Sequence, residues 1–294
     1  LVIATGAVML LLAIDVLPES LGDLLERAIP IILVIVGLNM LLIDRVRFGN
    51  WIALALSMVI LGVIVYFAYQ TQSDIVRDEY VESIEPIFLG DHIQGVNVNI
   101  EILDATVTIT DSGTRALDAT FTGSTESEVT IAVQENEDGI VDFTITEKRT
   151  SGIPNLGAMG SGELQVLLPV GVTINSLNFN NKDGTATFNF QSLDVPRFNI
   201  QNQHGNVALF LPHSGITISD VNIASGDLRL VVDPAITLQV RNAPPQPRTL
   251  VDENVYLFLA NGGIESKGGV TDYDFIVNLA MPGGRLTIQR PEGT

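Results

Sequence analysis

The first seventy residues of this 294-residue chain are almost wholly apolar, and no later stretch is. Residues 1–14, 28–43 and 51–69 contain no charged side chain, whereas the chain beyond Tyr69 breaks into short alternating runs such as Val96-Asn97-Val98-Asn99-Ile100. Such a chain must satisfy two solvents, lipid at its front and water behind. A bilayer core needs about 20 apolar residues per helix, with about 17 tolerated. Residues 51–69 meet that alone, and 28–43 reach it with their flanks. Residues 1–14 are short, but the chain begins with Leu rather than Met. They read either as the end of a span begun upstream or as half a span. A secretory leader would account for the first apolar run and not for two more. The expectation is a membrane α-helical anchor over 1–70, a linker over 71–92 and an all-β domain over 93–294.

Charge narrows the partners. Of 34 acidic residues, 29 lie beyond Gln70, against 12 of the 15 basic ones, so the polar part carries a formal charge of −17. That surface repels nucleic acid and anionic headgroups. Acidity also keeps a surface soluble, which is a simpler account than a specific cationic ligand. There is no cysteine, which excludes disulfides, thiolate metal sites and cysteine nucleophiles.

Arginine placement predicts orientation. The loop between the second and third spans carries Arg45 and Arg47, whereas the preceding loop carries Arg27 alone. Positive residues stay on the cytoplasmic side. This puts Arg45 and Arg47 in the cytoplasm and the β domain outside the cell membrane. Asn39, the sole amide within the spans, is the candidate interhelical hydrogen-bonding residue. No ionisable group stands inside the spans, which argues against a transporter.

From about Ile93 the pattern has period two, is rich in β-branched residues, and is punctuated by Gly, Asn, Asp and Pro. That combination marks half-buried strands in an all-β domain. Gly184, Gly205 and Gly226 stand 21 residues apart twice over, and each separates two alternating runs. Tyr256-Leu257-Phe258-Leu259 with Gly262-Gly263 reads as a degenerate fourth copy. Strand–glycine–strand units of this size cannot bury an apolar face alone. They are expected to stack over about 163–270 as a β-solenoid-like or sandwich fold, with Gly184, Gly205, Gly226 and Gly263 as structural turns.

The run Glu163-Leu164-Gln165-Val166-Leu167-Leu168-Pro169, followed by the glycine-turn units, resembles the adhesin-type ("toastrack") β-repeat domain of bacterial envelope proteins. The front, with Ile32-Leu33-Val34-Ile35-Val36-Gly37-Leu38 after Pro30, resembles the transmembrane region of LiaI/LiaF-type proteins. The resemblance implies a multi-pass, non-catalytic sensor or regulator of cell-envelope stress. It would act through protein or ligand contacts, with a membrane histidine kinase or another envelope protein as partner, or as a homo-oligomer. It implies no catalytic residue and no cofactor. A cell-surface adhesin or structural protein is the second expectation, and a carbohydrate-active β-repeat enzyme ranks below both.

Individual residues suggest no chemistry. His204 and His213 sit at turns, and with His92 they form no close histidine–carboxylate set of the three or four ligands that zinc needs. Asp138-Gly139, Asp183-Gly184 and Asn261-Gly262 read as turns rather than calcium loops, because no Asp-x-Asp-x-Asp run exists. The glycine-rich stretch 151–162 lacks the lysine and helix of a phosphate loop and reads as a flexible connection. Residues 242–248, with three prolines, read as a stiff connection with polyproline character. Asp220, Asp227 and Asp233 are the carboxylates to consider for glycoside cleavage, although nothing marks a nucleophile and base among them.

Overall fold

Alternation governs how the polar part folds. The computed structural model describes residues 77–149, 161–213, 217–267 and 273–291, with Ala55, Met58, Val59 and Gly62 as isolated helical positions. Arg77–Lys148 and Gly162–Thr294 form one compact unit. Asn39, Arg45, Arg47 and most of the three apolar segments lie outside the described residues, as do 151–160 of the glycine-rich connection. Among the described residues no helix is long and apolar enough to cross a membrane.

Among the described residues eighteen strands follow in chain order. The first six are β1 (Tyr80–Phe88), β2 (Gly95–Asp111), β3 (Ala116–Gly123), β4 (Ser127–Glu135), β5 (Ile140–Arg149) and β6 (Gly162–Leu168). Next come β7 (Thr173–Asp183), β8 (Ala186–Asn189), β9 (Arg197–His204), β10 (Val207–Phe210), β11 (Thr217–Ser225) and β12 (Leu228–Val231). The last are β13 (Leu238–Arg241), β14 (Thr249–Leu250), β15 (Tyr256–Phe258), β16 (Ile264–Ser266), β17 (Phe275–Ala280) and β18 (Leu286–Gln289).

These strands build two facing sheets. Sheet I pairs β5, the first half of β2, β7, β9, β11, β17 and β13 side by side and in parallel. Sheet II runs β6, the second half of β2, β8, β10, β12, β18 and β14, likewise in parallel. Each coil crosses from sheet I to sheet II at one corner, and Gly184, Gly205, Gly226 and Gly284 occupy successive corners. The arrangement is a parallel coil stack, closed at one end by antiparallel β1 and β3 on β6 and at the other by the β15–β16 hairpin on β13.

Coil order in space departs from coil order in sequence. β17 lies between β11 and β13, and β18 between β12 and β14. The chain therefore lays down the outermost coil first, folds the closing hairpin, and returns to fill the coil beneath. This corrects the expected fourth copy: Tyr256–Phe258 belongs to an antiparallel hairpin whose Tyr256 faces Ser266. The fourth glycine corner is Gly284, and Gly263 lies against that hairpin without a positive φ. A second correction concerns the linker over 71–92. Its later part is strand β1, in which Tyr80, Glu82 and Ile84 turn inward while Val81, Ser83 and Glu85 are exposed. The proline-rich connection contains a short 3₁₀ turn over Gln246–Arg248, seated after Pro245.

Between the sheets lies one apolar core. Phe179, Phe188, Phe190, Phe198 and Phe275 form a chain of ring contacts, with successive centroids 4.9, 5.7, 5.4 and 5.8 Å apart. The Phe179–Phe188 pair meets edge to face across the two sheets, an arrangement favoured by the ring quadrupoles. Where β11 brings hydroxyls into this core, backbone carbonyls accept them. Thr217 donates to Val195 O at 3.0 Å and Ser219 to Ile276 O at 3.3 Å.

Corners carry their own hydrogen bonding. Gly184 N–H donates to His204 O and Gly205 N–H to Ser225 O, both at 3.0 Å, which links each corner to the next. Asn181 and Asn202, 0 % and 1 % exposed, point inside the corner. The Asn202 amide donates to Gly205 O at 2.9 Å and to Gly184 O at 3.3 Å. Among the described residues the first corner is finished by a side chain of β5. Buried Glu147 accepts Leu103 N–H at 2.8 Å, Asp104 N–H at 3.3 Å and the Ser127 hydroxyl at 2.7 Å. Its carboxylate thus satisfies backbone donors that a further coil would otherwise satisfy.

Candidate binding face

Outward positions of sheet I form the most distinctive surface of the described unit. Period two sends Asn97, Asn99 and Glu101 of β2 outward while Val96, Val98 and Ile100 are buried. The same holds for Ser176, Asn178 and Asn180 on β7, Asn199 and Gln201 on β9, and Asp220 and Asn222 on β11. Because the strands are parallel and in register, these residues align in rows. One row runs Thr144, Asn99, Asn178, Asn199, Asp220, Asn278 and Arg241 across seven strands. Adjacent strands lie about 4.8 Å apart, which sets the repeat of the row.

The margins of this face are internally bonded. Asn97 donates to Asp142 at 2.8 Å and accepts from Ser176 at 3.3 Å, while Asn278 donates to Asp220 at 2.9 Å. Its middle is not: Asn99, Asn178, Asn180, Asn199, Gln201 and Asn222 make no side-chain hydrogen bond. A shallow depression lies there, lined by Asn99, Glu101, Asn178, Asn180, Asn199 and Gln201 over the buried ring of Phe179. The signal available in the sequence was an amide at matching places in consecutive 21-residue units, as in Asn178 and Asn199.

The sites considered from sequence are scattered over the unit. His92 reaches Glu135 at 2.9 Å, and His213, after β10, reaches Asp233, after the neighbouring β12, at 3.0 Å. Among the described residues no three histidines or carboxylates converge as a metal site would require. Asp220 is engaged by Asn278, Asp233 by His213, and Asp227 accepts Arg285 N–H at 2.8 Å. Each therefore has its own structural partner. Asp233 is held below the ordinary carboxylate range by the Ala235 N–H it accepts and by His213.

Asp274 is held down likewise, first by the Thr237 hydroxyl at 2.7 Å and then by Thr237 N–H at 2.9 Å. A carboxylate whose folded pKa is depressed stabilises the fold above its unfolded pKa, and loses that contribution as pH falls through the folded value. Thr237→Val is expected to cost about 1–2 kcal/mol at neutral pH, with the penalty shrinking as pH falls through the depressed range in which the folded Asp274 protonates. Urea midpoints of the two proteins from pH 7 to 3 check this. A penalty independent of pH would show that Asp274 is not the acceptor that matters.

Comparison with known proteins follows the coil stack. The chain is similar to the crystal structure of a candidate cell adhesion protein from Clostridium sporogenes, with a TM-score of 0.59 at 12 % identity, covering 72 % of this chain and 98 % of that one. A candidate adhesin from Bacteroides fragilis aligns over 74 % of this chain and 100 % of its own at 9 % identity, with a TM-score of 0.23. Among curated proteins none matches. Residues 96–236, from the first coil into the approach to β13, match the family model described as Toastrack DUF4097.

Proposed function

We propose that this chain is a membrane-anchored envelope protein that works by contact rather than by catalysis, as a sensor or regulator of cell-envelope stress. The observation that carries the contact reading is the sheet I face: a broad, flat field of outward amides with open hydrogen-bonding capacity. Its attachment to a front of three apolar segments supports the anchor. In this reading the toastrack domain meets a ligand or partner outside the membrane, and the helices pass the state to another membrane protein such as a histidine kinase. A second reading, an adhesin without signalling, is favoured by the fold shared with the Clostridium sporogenes protein.

In-cell crosslinking followed by purification in detergent tests the two. A regulator is expected to carry a crosslinked membrane protein, lost when residues 77–294 are deleted. Absence of any crosslinked membrane protein, with loss of surface attachment in cells lacking the chain, would favour the adhesin.

A further inference from the structure

We propose that the middle of the sheet I face binds an extended, uncharged glycan, its amides engaging successive sugar hydroxyls. This rests on the contact reading above and names the partner's chemistry. Asparagine is disfavoured in strands, yet six carboxamides occupy outward positions on four adjacent strands, β2, β7, β9 and β11. A self-bonded amide ladder would explain them, but Asn99, Asn178, Asn180, Asn199, Gln201 and Asn222 do not bond one another. Each instead offers two donors and an acceptor outward.

Charge selects the partner further. The polar part of the chain carries −17, yet the depression at the centre of this patch is lined by one carboxylate, Glu101, and no basic residue, and Asp220 beside it on β11 is already engaged by Asn278. It suits neither phosphate nor a polycation and is complementary to a neutral ligand. A protein partner is poorly served, since protein interfaces centre on buried aromatic and aliphatic anchors, and Phe179 beneath the depression is 1 % exposed. Strand-adding peptides need a sheet edge rather than a sheet face. A polyhydroxylated chain matches the amides, and strands about 4.8 Å apart present an asparagine at three successive steps, Asn99, Asn178 and Asn199, close to the rise of one hexose in an extended β-linked glycan.

The test is retention of the full chain, solubilised in a detergent without a sugar headgroup, on immobilised linear glycans. The probes are β-glucan, chitin oligomers and mannan as neutral ligands, with polygalacturonate as the acidic control. At least one neutral glycan is expected to retain the protein, with affinity falling at least tenfold in N178K/N199K. It should remain unchanged in T108K/T187K, which places the same charges on the outer face of sheet II. Thermal melts confirm that both variants fold. Retention by no neutral glycan, preference for polygalacturonate, or equal loss in both variants overturns the proposal. If retention fails while the membrane-protein crosslink persists, the glycan assignment falls and the contact reading stands.

Discussion

Gly205→Ala is expected to destabilise the domain by more than about 4 kcal/mol, the range reserved for backbone conflicts and core cavities. Gly205 has a φ of 116°, which L side chains rarely adopt. Holding alanine there costs about 1–3 kcal/mol. The larger part is steric. A Cβ on Gly205 would land on the carbonyl oxygen of Gly184 and 2.6 Å from its carbonyl carbon, in the neighbouring corner. Neither backbone can yield without parting the two coils, and coil-to-coil contact is what stabilises a repeat stack. Gly171→Ala separates the terms. Gly171 also has a positive φ, 74°, but a Cβ there meets nothing within 4 Å. It should cost only about 1–2 kcal/mol. Urea titration of both variants, read by circular dichroism, decides: equal penalties would refute the stacked-corner account.

Phe188→Ala is expected to cost about 3–5 kcal/mol, as for large-to-small changes in a packed core. Phe188 is fully buried and touches Phe179 in the opposite sheet as well as Phe190 on its own side. Its removal opens a void in the middle of the ring chain that ties the two sheets together. Phe188→Leu keeps most of the volume and should cost less than about 1.5 kcal/mol. The same titration reads both. A penalty under about 1 kcal/mol for alanine would mean that the core can collapse around the gap.

How much of this was legible depended on whether a local pattern also fixed its partner. The glycine corners could be read because each coil meets the same steric demand at the same position, so Gly184, Gly205 and Gly226 recur every 21 residues. Gly284 escaped because the outermost coil and its hairpin intervene, placing it 58 residues after Gly226, the separation bridged by Arg285 and Asp227. Tyr256–Leu259 with its glycines looked like a fourth unit because strand–turn–strand is written alike whether the partner is antiparallel or stacked. Pairing is a tertiary fact that alternation alone does not carry.

Strand β1 was read as linker because its inward residues include Glu82, and because Pro86 sits where its pairing with β3 slips. Asn181 and Asn202 share the 21-residue spacing, yet polarity argues for the surface, and only the corner carbonyls of Gly184 and Gly205 explain their burial. Glu147 was illegible for a similar reason: its role appears only when Leu103, Asp104 and Ser127 are brought to its carboxylate. The amide face lay in plain sight residue by residue. Its continuity across strands needed the register.

The orientation of the β domain is the claim on which envelope sensing and adhesion both depend, and the absence of native cysteine makes it measurable. Glu137→Cys, in the exposed turn between β4 and β5, and Asn50→Cys, beside Arg47, are to be treated in intact cells with a membrane-impermeant maleimide. The account predicts labelling of Glu137→Cys in intact cells and of Asn50→Cys only after permeabilisation. The reverse pattern would place the domain in the cytoplasm and contradict it.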